Sequence, residues 1–407
     1  MTNPVHLRDL LSRIRVRAPG AALALMVVLL PMAVSAQSER TWTFTTLYSF
    51  KHPRRDGAAP FGGVIKDKSG NLYGTTWYGG ASGAWGAVFK LDSAGSEALL
   101  HSFHRNSNGY HPIAGLIMDR LGNLYGTTAG DYSQFGTVFK LDANGKQTVL
   151  YRFSGGLDGG EPSRLLRDAE GNLYGTTYIG GASDWGTVFK VDKHGKETVL
   201  YNFTGGADGA NPQAGLIRDQ AGNLYGTASY TVFKVDRAGN ETVLYSFAGI
   251  PDVAAGLVED SEGNLYGATG AGGDLNCNAP NGCGTVFKLD SAGKLTVLYT
   301  FTGDTDGMGP HATLVRDSSG NLYGTTTDGG DPNCQAPYGC GTVFKLDKTG
   351  KEKVLFRFTG GADGALPSAL FRDEEDNLFG TTTYGGDLSC VLYQYIPGCG
   401  TVFKLHP

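Results

Sequence analysis

The chain has 407 residues, with 34 Lys and Arg against 39 Asp and Glu, a net charge of −5. This mild acidity, with no Lys/Arg cluster, argues against nucleic acid as a partner. Length alone suggests two or three domains, but an internal repeat overrides that expectation.

Residues 1–36 read as a signal peptide. Arg8, Arg13, Arg15 and Arg17 make a basic region, and Ala21 to Val34 is an apolar run of 14, short for a membrane span. Val34-Ser35-Ala36 supplies small residues for cleavage before Gln37. The competing reading is a retained N-terminal anchor. Cleavage removes four Arg and one Asp, leaving 30 basic and 38 acidic residues, a net −8. The expectation is a mature chain of residues 37–407, secreted to an extracellular or periplasmic space and without stable membrane insertion.

Seven variants of Gly-Asn-Leu-Tyr-Gly-Thr-Thr follow, starting at Gly70, Gly122, Gly171, Gly222, Gly263, Gly320 and Asp376. Tyr73, Tyr125, Tyr174, Tyr225, Tyr266, Tyr323 and Phe379 lie 52, 49, 51, 41, 57 and 56 residues apart. A period near fifty built from short strand-like pieces signals radial repetition. In the second unit the pieces are Ile113 to Met118, Asn123 to Thr128, Thr137 to Leu141 and Thr148 to Phe153. All are rich in β-branched and aromatic residues and bounded by Gly, Asp and Asn. Asp-x-x-Gly-Asn recurs between the first and second pieces and Asp-x-x-Gly between the third and fourth, which suits tight turns rather than catalysis. The prediction is an all-β, seven-bladed β-propeller of four-stranded blades. The last unit ends after its third strand, Thr401 to Leu405, so Trp42 to Phe50 is expected to supply the fourth and close the ring.

The chain resembles the GloVer-type tandem repeats of extracellular choice-of-anchor proteins. The motifs that carry the resemblance are Asn-Leu-Tyr-Gly-Thr-Thr, Gly-Thr-Val-Phe-Lys-Leu-Asp (Gly136 to Asp142) and Thr-Val-Leu-Tyr-Asn-Phe-Thr-Gly-Gly-Ala-Asp-Gly (Thr198 to Gly209). They recur over nearly everything from residue 41 onward. The resemblance implies a secreted, propeller-like protein and brings no activity with it.

All six Cys lie in the last three units, each pair within one loop between second and third strands. Export and local spacing favour the disulfides Cys277–Cys283, Cys334–Cys340 and Cys390–Cys399. Zinc is the alternative, disfavoured by the spacing and the lack of nearby His. The residue before the Gly that opens the third strand is Trp85, Phe135 and Trp185 in units one to three, and Cys283, Cys340 and Cys399 in units five to seven. Aromatic ring and half-cystine exchange at one position, as if both pin the long loop. The competing role for Trp85 and Trp185 is sugar stacking.

Catalytic signatures are missing from the sequence: it contains no H-E-x-x-H, G-x-S-x-G or G-x4-G-K-[ST]. No metal site and no cofactor are predicted, and too few Trp recur for a quinoprotein propeller. Asp-Gly pairs between blades read as turns rather than Ca²⁺ loops. His101 takes the place of a fourth-strand Tyr and reads as packing. The residue before the first turn Asp is basic in five units (Lys66, Arg167, Arg218, Arg316, Arg372); these either ring the channel mouth or pair with a neighbouring blade's turn Asp. Unit four joins its second and third strands through only Ser229 and Tyr230 and has lost the Gly-Gly-x-Asp-Gly element of its exit loop. A low rim there, beside tall disulfide-pinned loops, makes a candidate groove with Tyr230, Asp274, Asn276, Asp331, Tyr338, Asp387, Tyr393 and Tyr395 as contacts. The alternative is a neutral deletion. The functional expectation is a monomeric, non-catalytic binding or scaffold propeller with an unknown extracellular glycan or protein ligand. The rival is a polysaccharide-acting lyase or hydrolase on the same face.

Overall fold

Each repeat folds as one antiparallel sheet, and seven such sheets form a seven-bladed β-propeller in the computed structural model. The structure describes residues 41–407 except 82–84, 105–108, 131–133, 249–252, 254, 335–337 and 394–395. The predicted signal peptide therefore lies outside the described residues. Blade two consists of Ile117–Met118, Leu124–Thr128, Thr137–Leu141 and Gln147–Arg152, hydrogen-bonded in that order. The first strand is shorter than the apolar run 113–118 suggests. The start of that run is engaged elsewhere: the Ala114 carbonyl accepts a hydrogen bond from the Thr75 hydroxyl of blade one, at 3.3 Å.

The ring closes as expected. Thr43–Ser49 pairs antiparallel with Thr401–His406, placing Phe44 opposite Leu405 and Ser49 opposite Thr401. The first described strand is thus the fourth strand of the last blade. In blades three and seven the second strand is lengthened, Leu173–Ile179 and Leu378–Tyr384, and pairs also with Gly160–Pro162 and Ala365–Pro367. The long loop of blade seven contains a small ribbon, Val391–Tyr393 with Ile396–Pro397, that its sequence did not announce.

Blade-to-blade packing rests on one repeated aromatic contact. The Phe that ends each fourth strand meets edge-on the third-strand Phe of the next blade. The pairs are Phe50–Phe89, Phe103–Phe139, Phe153–Phe189, Phe203–Phe233, Phe247–Phe287, Phe301–Phe344 and Phe358–Phe403, with centroids 5.0–5.3 Å apart. Edge-to-face geometry adds about 0.5–1.5 kcal/mol per pair beyond area burial. The Gly of Leu-Tyr-Gly makes room for the ring. At Gly126, opposite Phe139 in the ladder, a Cβ would stand 2.7 Å from the ring's Cζ and 2.9 Å from Leu116. That Gly is required by close approach, not by its φ.

The two Thr that follow have separate tasks. The first donates its hydroxyl to a backbone carbonyl of the next blade at six junctions, from Thr75 to Ala114, Thr127 to Ser163, Thr176 to Ala214, Thr227 to Ala255, Thr325 to Ser368 and Thr381 to Pro60. Ala268 stands at the seventh. In blades two, three and five to seven the second pairs across the sheet with the third-strand Thr, as Thr128 with Thr137 at 2.9 Å, and blade four has Ala228 there. In blade one that partner is Ala87, and the buried Thr76 hydroxyl has no partner.

The first turn is built by its Asp. In Asp119, Oδ1 accepts the Leu121 and Asn123 amides, while Oδ2 accepts the Asn123 side chain and the Tyr125 hydroxyl at 3.0 Å. The same Tyr–Asp bond recurs in blades one and three to six at 2.9–3.1 Å. Blade seven carries Phe379 and cannot make it. There the Lys66 ammonium of blade one donates to Asp373 at 2.7 Å and lies over the Phe379 ring. Elsewhere Arg167, Arg218 and Arg316 lie over Tyr125, Tyr174 and Tyr266 of the preceding blade, and Arg372 pairs with Asp376. The five basic residues are therefore engaged with neighbouring rings and carboxylates.

Two substitutions test these contacts. Phe50→Ala should lower the unfolding free energy by roughly 3–5 kcal/mol, as much as Phe203→Ala in mid-ring, measured by denaturant unfolding. A loss below about 1 kcal/mol would mean that something other than the aromatic ladder holds the ring shut. Lys66→Met should cost about 1–2 kcal/mol, the scale of a charged hydrogen bond. Adding Phe379→Tyr should recover part of it by restoring the hydroxyl donor to Asp373; no recovery contradicts the exchange.

Candidate functional site

Antiparallel blades put the second-to-third-strand loops and the blade connections on one face. The short Asp turns occupy the other. On the looped face, five of the connections carry an x-Pro step with a non-glycine x in the left-handed region: Ala59, His111, Glu161, Asn211 and Leu366 have φ of 49–55°. Each donates its amide to the carbonyl of the pinning residue of the preceding blade: Cys399, Trp85, Phe135, Trp185 and Cys340. Left-handed backbone at non-glycine residues is costly, so this inter-blade bond holds the face in shape. His111 and Asn211 also bond to the carbonyls of Trp77 and Tyr178.

The pinning role of aromatic and half-cystine is visible at the exit loops. A Cβ on Gly155 would collide with the Phe135 ring, and one on Gly205 with the Trp185 indole. At the matching Gly303 and Gly360 the collision is with Cys277–Cys283 and Cys334–Cys340. The three expected disulfides are present. Ring and disulfide thus fill the same space under the same Gly. Trp85 and Trp185 nevertheless remain 40% and 44% exposed, so pinning leaves part of each indole open to a ligand.

The groove residues are distributed as follows. Ser229 and Tyr230 form the tight connection between Leu224–Ala228 and Thr231–Val235. The Phe247 amide bonds to the Tyr230 carbonyl as its counterparts bond to the pre-strand Gly, so Ser229 takes the pinning position and Tyr230 the Gly position. Tyr230 is exposed and reaches the Gly206 carbonyl at 3.3 Å. Asp274, Asp331 and Asp387 occupy equivalent points of three successive loops. Each folds its loop through an Asx turn: Asp274 accepts the Asn276 amide and side chain, Asp331 those of Asn333, and Asp387 the Ser389 amide and hydroxyl. Tyr338 projects from its loop, 61% exposed. Tyr393 lies in the blade-seven ribbon, and Tyr395 lies outside the described residues. These residues share a face rather than one pocket. Among the described residues, no group of three or more His, Cys, Asp or Glu is placed to hold a metal ion.

An aromatic cluster at the first blade junction was not singled out from sequence. Phe61, Trp77, Tyr78, Trp85, Tyr110 and His111 contact one another with centroids 5.1–6.1 Å apart. Its members come from three loops, with Trp85 at the pinning position and His111 at the left-handed x-Pro position. Among the described residues, every aromatic side chain more than a third exposed lies on the looped face: Phe61, Trp85, Tyr178, Trp185, Tyr230 and Tyr338.

The Asp-Gly carboxylates are consumed structurally. Asp208 accepts the Tyr201 hydroxyl, the Thr204 amide and the Thr204 hydroxyl, and Asp306 repeats the arrangement with Tyr299 and Thr302. This geometry is that of a turn. Beside four of these Asp sits a half-buried Glu of the following blade's fourth strand. Burial, and then the charge of Asp56, Asp158, Asp208 and Asp306, raises Glu97, Glu197, Glu241 and Glu352 to about 7. One oxygen of each Glu is buried without a hydrogen-bond partner. A raised carboxyl beside a carboxylate invites an acid–base reading, but four copies at four junctions mark architecture. His101 is pulled down to about 4, by burial first and His104 second, and packs edge-on against Phe103.

The model of the Gloeobacter/Verrucomicrobia repeat matches residues 34–231 and 229–407. No curated protein matches the chain. A solved structure described as streptogramin B lyase is similar at 13% identity and TM-score 0.60, over 90% of this chain and 97% of that one. The extracellular domain of a protein described as a hybrid two component system from B. thetaiotaomicron is similar at 12% identity and TM-score 0.55. That match covers 87% of this chain and 39% of the other. Both likenesses are of fold.

The carboxyl groups set the pH dependence of stability. The four Glu bind protons more tightly folded than unfolded, so their contribution is full below their unfolded value and is lost as pH rises through about 7. The turn Asp behave oppositely. Burial opposes ionisation, but amide and Tyr hydrogen bonds outweigh it and hold Asp67, Asp119 and Asp219 below the usual range. Their contribution is lost as pH falls through those lowered values. Tm should therefore peak in the mildly acidic range and fall toward alkaline pH. Replacing the four Glu by Gln should flatten the alkaline limb; an unchanged slope contradicts the assignment.

Proposed function

The chain belongs to the Gloeobacter/Verrucomicrobia repeat family, and we propose that it is a secreted, non-catalytic binding propeller whose looped face takes an extracellular glycan. The observation that carries this reading is the one-sided display of exposed aromatic rings on a looped face where three loops are closed by disulfides. Flat aromatic faces offer large apolar area at low side-chain entropy, and pre-ordered loops lose little on binding. Three disulfides suit an oxidising compartment. The low rim at Ser229-Tyr230 opens the face on one side, beside the disulfide-closed loops that carry Asp274, Asn276, Asp331, Tyr338, Asp387 and Tyr393. The lyase or hydrolase alternative draws less support, because among the described residues the four carboxyls raised to about 7 recur at four blade junctions.

A glycan array probed with the purified exported protein, with and without EDTA, should yield a ligand whose binding is indifferent to EDTA. Tyr230→Ala and Tyr338→Ala should each weaken that binding roughly three- to tenfold, the worth of one ring contact, with unchanged melting. A blade-two-length loop inserted between Ser229 and Thr231 should abolish it. Full retention by all three variants refutes the groove. Turnover of a bound glycan, or capture of protein ligands only, refutes the non-catalytic glycan reading.

A further inference from the structure

The residue four before the first turn Asp leads into each first strand, which in a radial propeller faces the central channel: Gly63, Gly115, Arg164, Gly215, Gly256, Thr313 and Ala369. Neighbouring blades touch at this level. A Cβ on Gly115 would lie 2.5 Å from the Gly62 carbonyl, one on Gly63 2.8 Å from the Ala369 carbonyl, and one on Gly256 2.5 Å from the Thr313 hydroxyl. Small residues are therefore what the axial wall admits, and Arg164 is the exception.

Its side chain fits because both flanking blades carry Gly. The stem runs along Gly215, where a Cβ would stand 3.2 Å from that of Arg164. Its Nε lies 3.5 Å from where a Gly115 Cβ would be. Protein encloses the guanidinium closely, yet the side chain keeps some contact with solvent. Burial pulls its pKa down, and no neighbouring charge opposes that. No hydrogen bond or ion pair joins it to another described residue. The other inner-strand cations differ: Lys66 has Asp373, Arg372 has Asp376, and Arg167, Arg218 and Arg316 lie on rings. A guanidinium does not shed its charge at physiological pH, and an enclosed charge without a partner is unfavourable.

We propose that Arg164 makes the axial channel a binding site for a small monoanionic carboxylate. The planar fork of Arg matches a carboxylate with two parallel hydrogen bonds. A single cation selects a single negative charge, since a dianion would leave excess charge in the enclosed channel. The Gly walls keep bulk away from the fork. Thr313, the one other polar side chain at this level, offers a hydroxyl. The site stands apart from the looped-face ligand and does not depend on it.

The test uses the purified exported protein and acetate, chloride or inorganic phosphate at fixed pH and ionic strength. Acetate should raise Tm saturably by about 1–3 °C, with heat of binding detectable by calorimetry, and chloride and phosphate should bind several-fold more weakly. Arg164→Gly, which installs the residue of four other blades, should remove the acetate response while keeping or raising Tm without added anion. Arg164→Ala gives the same readout if the Gly variant folds poorly. Arg164→Lys should bind acetate about tenfold more weakly, for want of the fork. An acetate response that survives Arg164→Gly or Arg164→Ala, no response in the natural protein, or phosphate binding tighter than acetate each overturns the proposal.

Discussion

The propeller depends on the edge-to-face contact between the Phe that ends one blade and the third-strand Phe of the next. It recurs at all seven junctions, and the Phe that ends each fourth strand sits where that strand gives way to the connection into the next blade. Its geometry explains the least variable part of the repeat. The ring must approach the second strand of its own blade, so the residue opposite is Gly. A four-stranded sheet cannot bury both faces alone; it does so against its two neighbours, and closure makes every blade a neighbour of two others.

Around that frame the repeat tolerates exchange wherever a different group supplies the same physics. Lys66 replaces the hydroxyl that Phe379 lacks, from the next blade and with a charge. An indole edge and a disulfide occupy the same space beneath equivalent glycines. Where nothing is substituted, the defect remains: Thr76 keeps an unpaired buried hydroxyl opposite Ala87, and Ala268 leaves one junction without its side-chain stitch. These are the positions where one blade differs in strength from the next.

Charge is handled in the same local way. The turn carboxylates sit under several donors and remain ionised, whereas the Glu at the blade junctions are crowded by burial and a neighbouring Asp toward neutrality. Carboxyls of one chain thus serve opposite purposes according to donor count. Arg164 stands outside this economy of pairs, on the axis, where six equivalents carry no charge.

The sequence by itself determined the blade count, the strand order, ring closure by the first strand and the disulfide pairing. All are local or periodic properties: strand alternation, turn chemistry at fixed offsets, a missing fourth strand and Cys within one loop. It also pointed to the shared position of ring and half-cystine, because the repeat aligns them. Only the tertiary structure decided what the side chains do across junctions. Lys66 and Asp373 belong to the first and last blades, and their pairing follows from closure alone. The Glu that meet Asp from the preceding connection, the aromatic cluster drawn from three loops, and the isolation of Arg164 depend likewise on distances between blades. A repeat specifies each blade's own contacts, while the space between blades is shared by two copies and is written in neither.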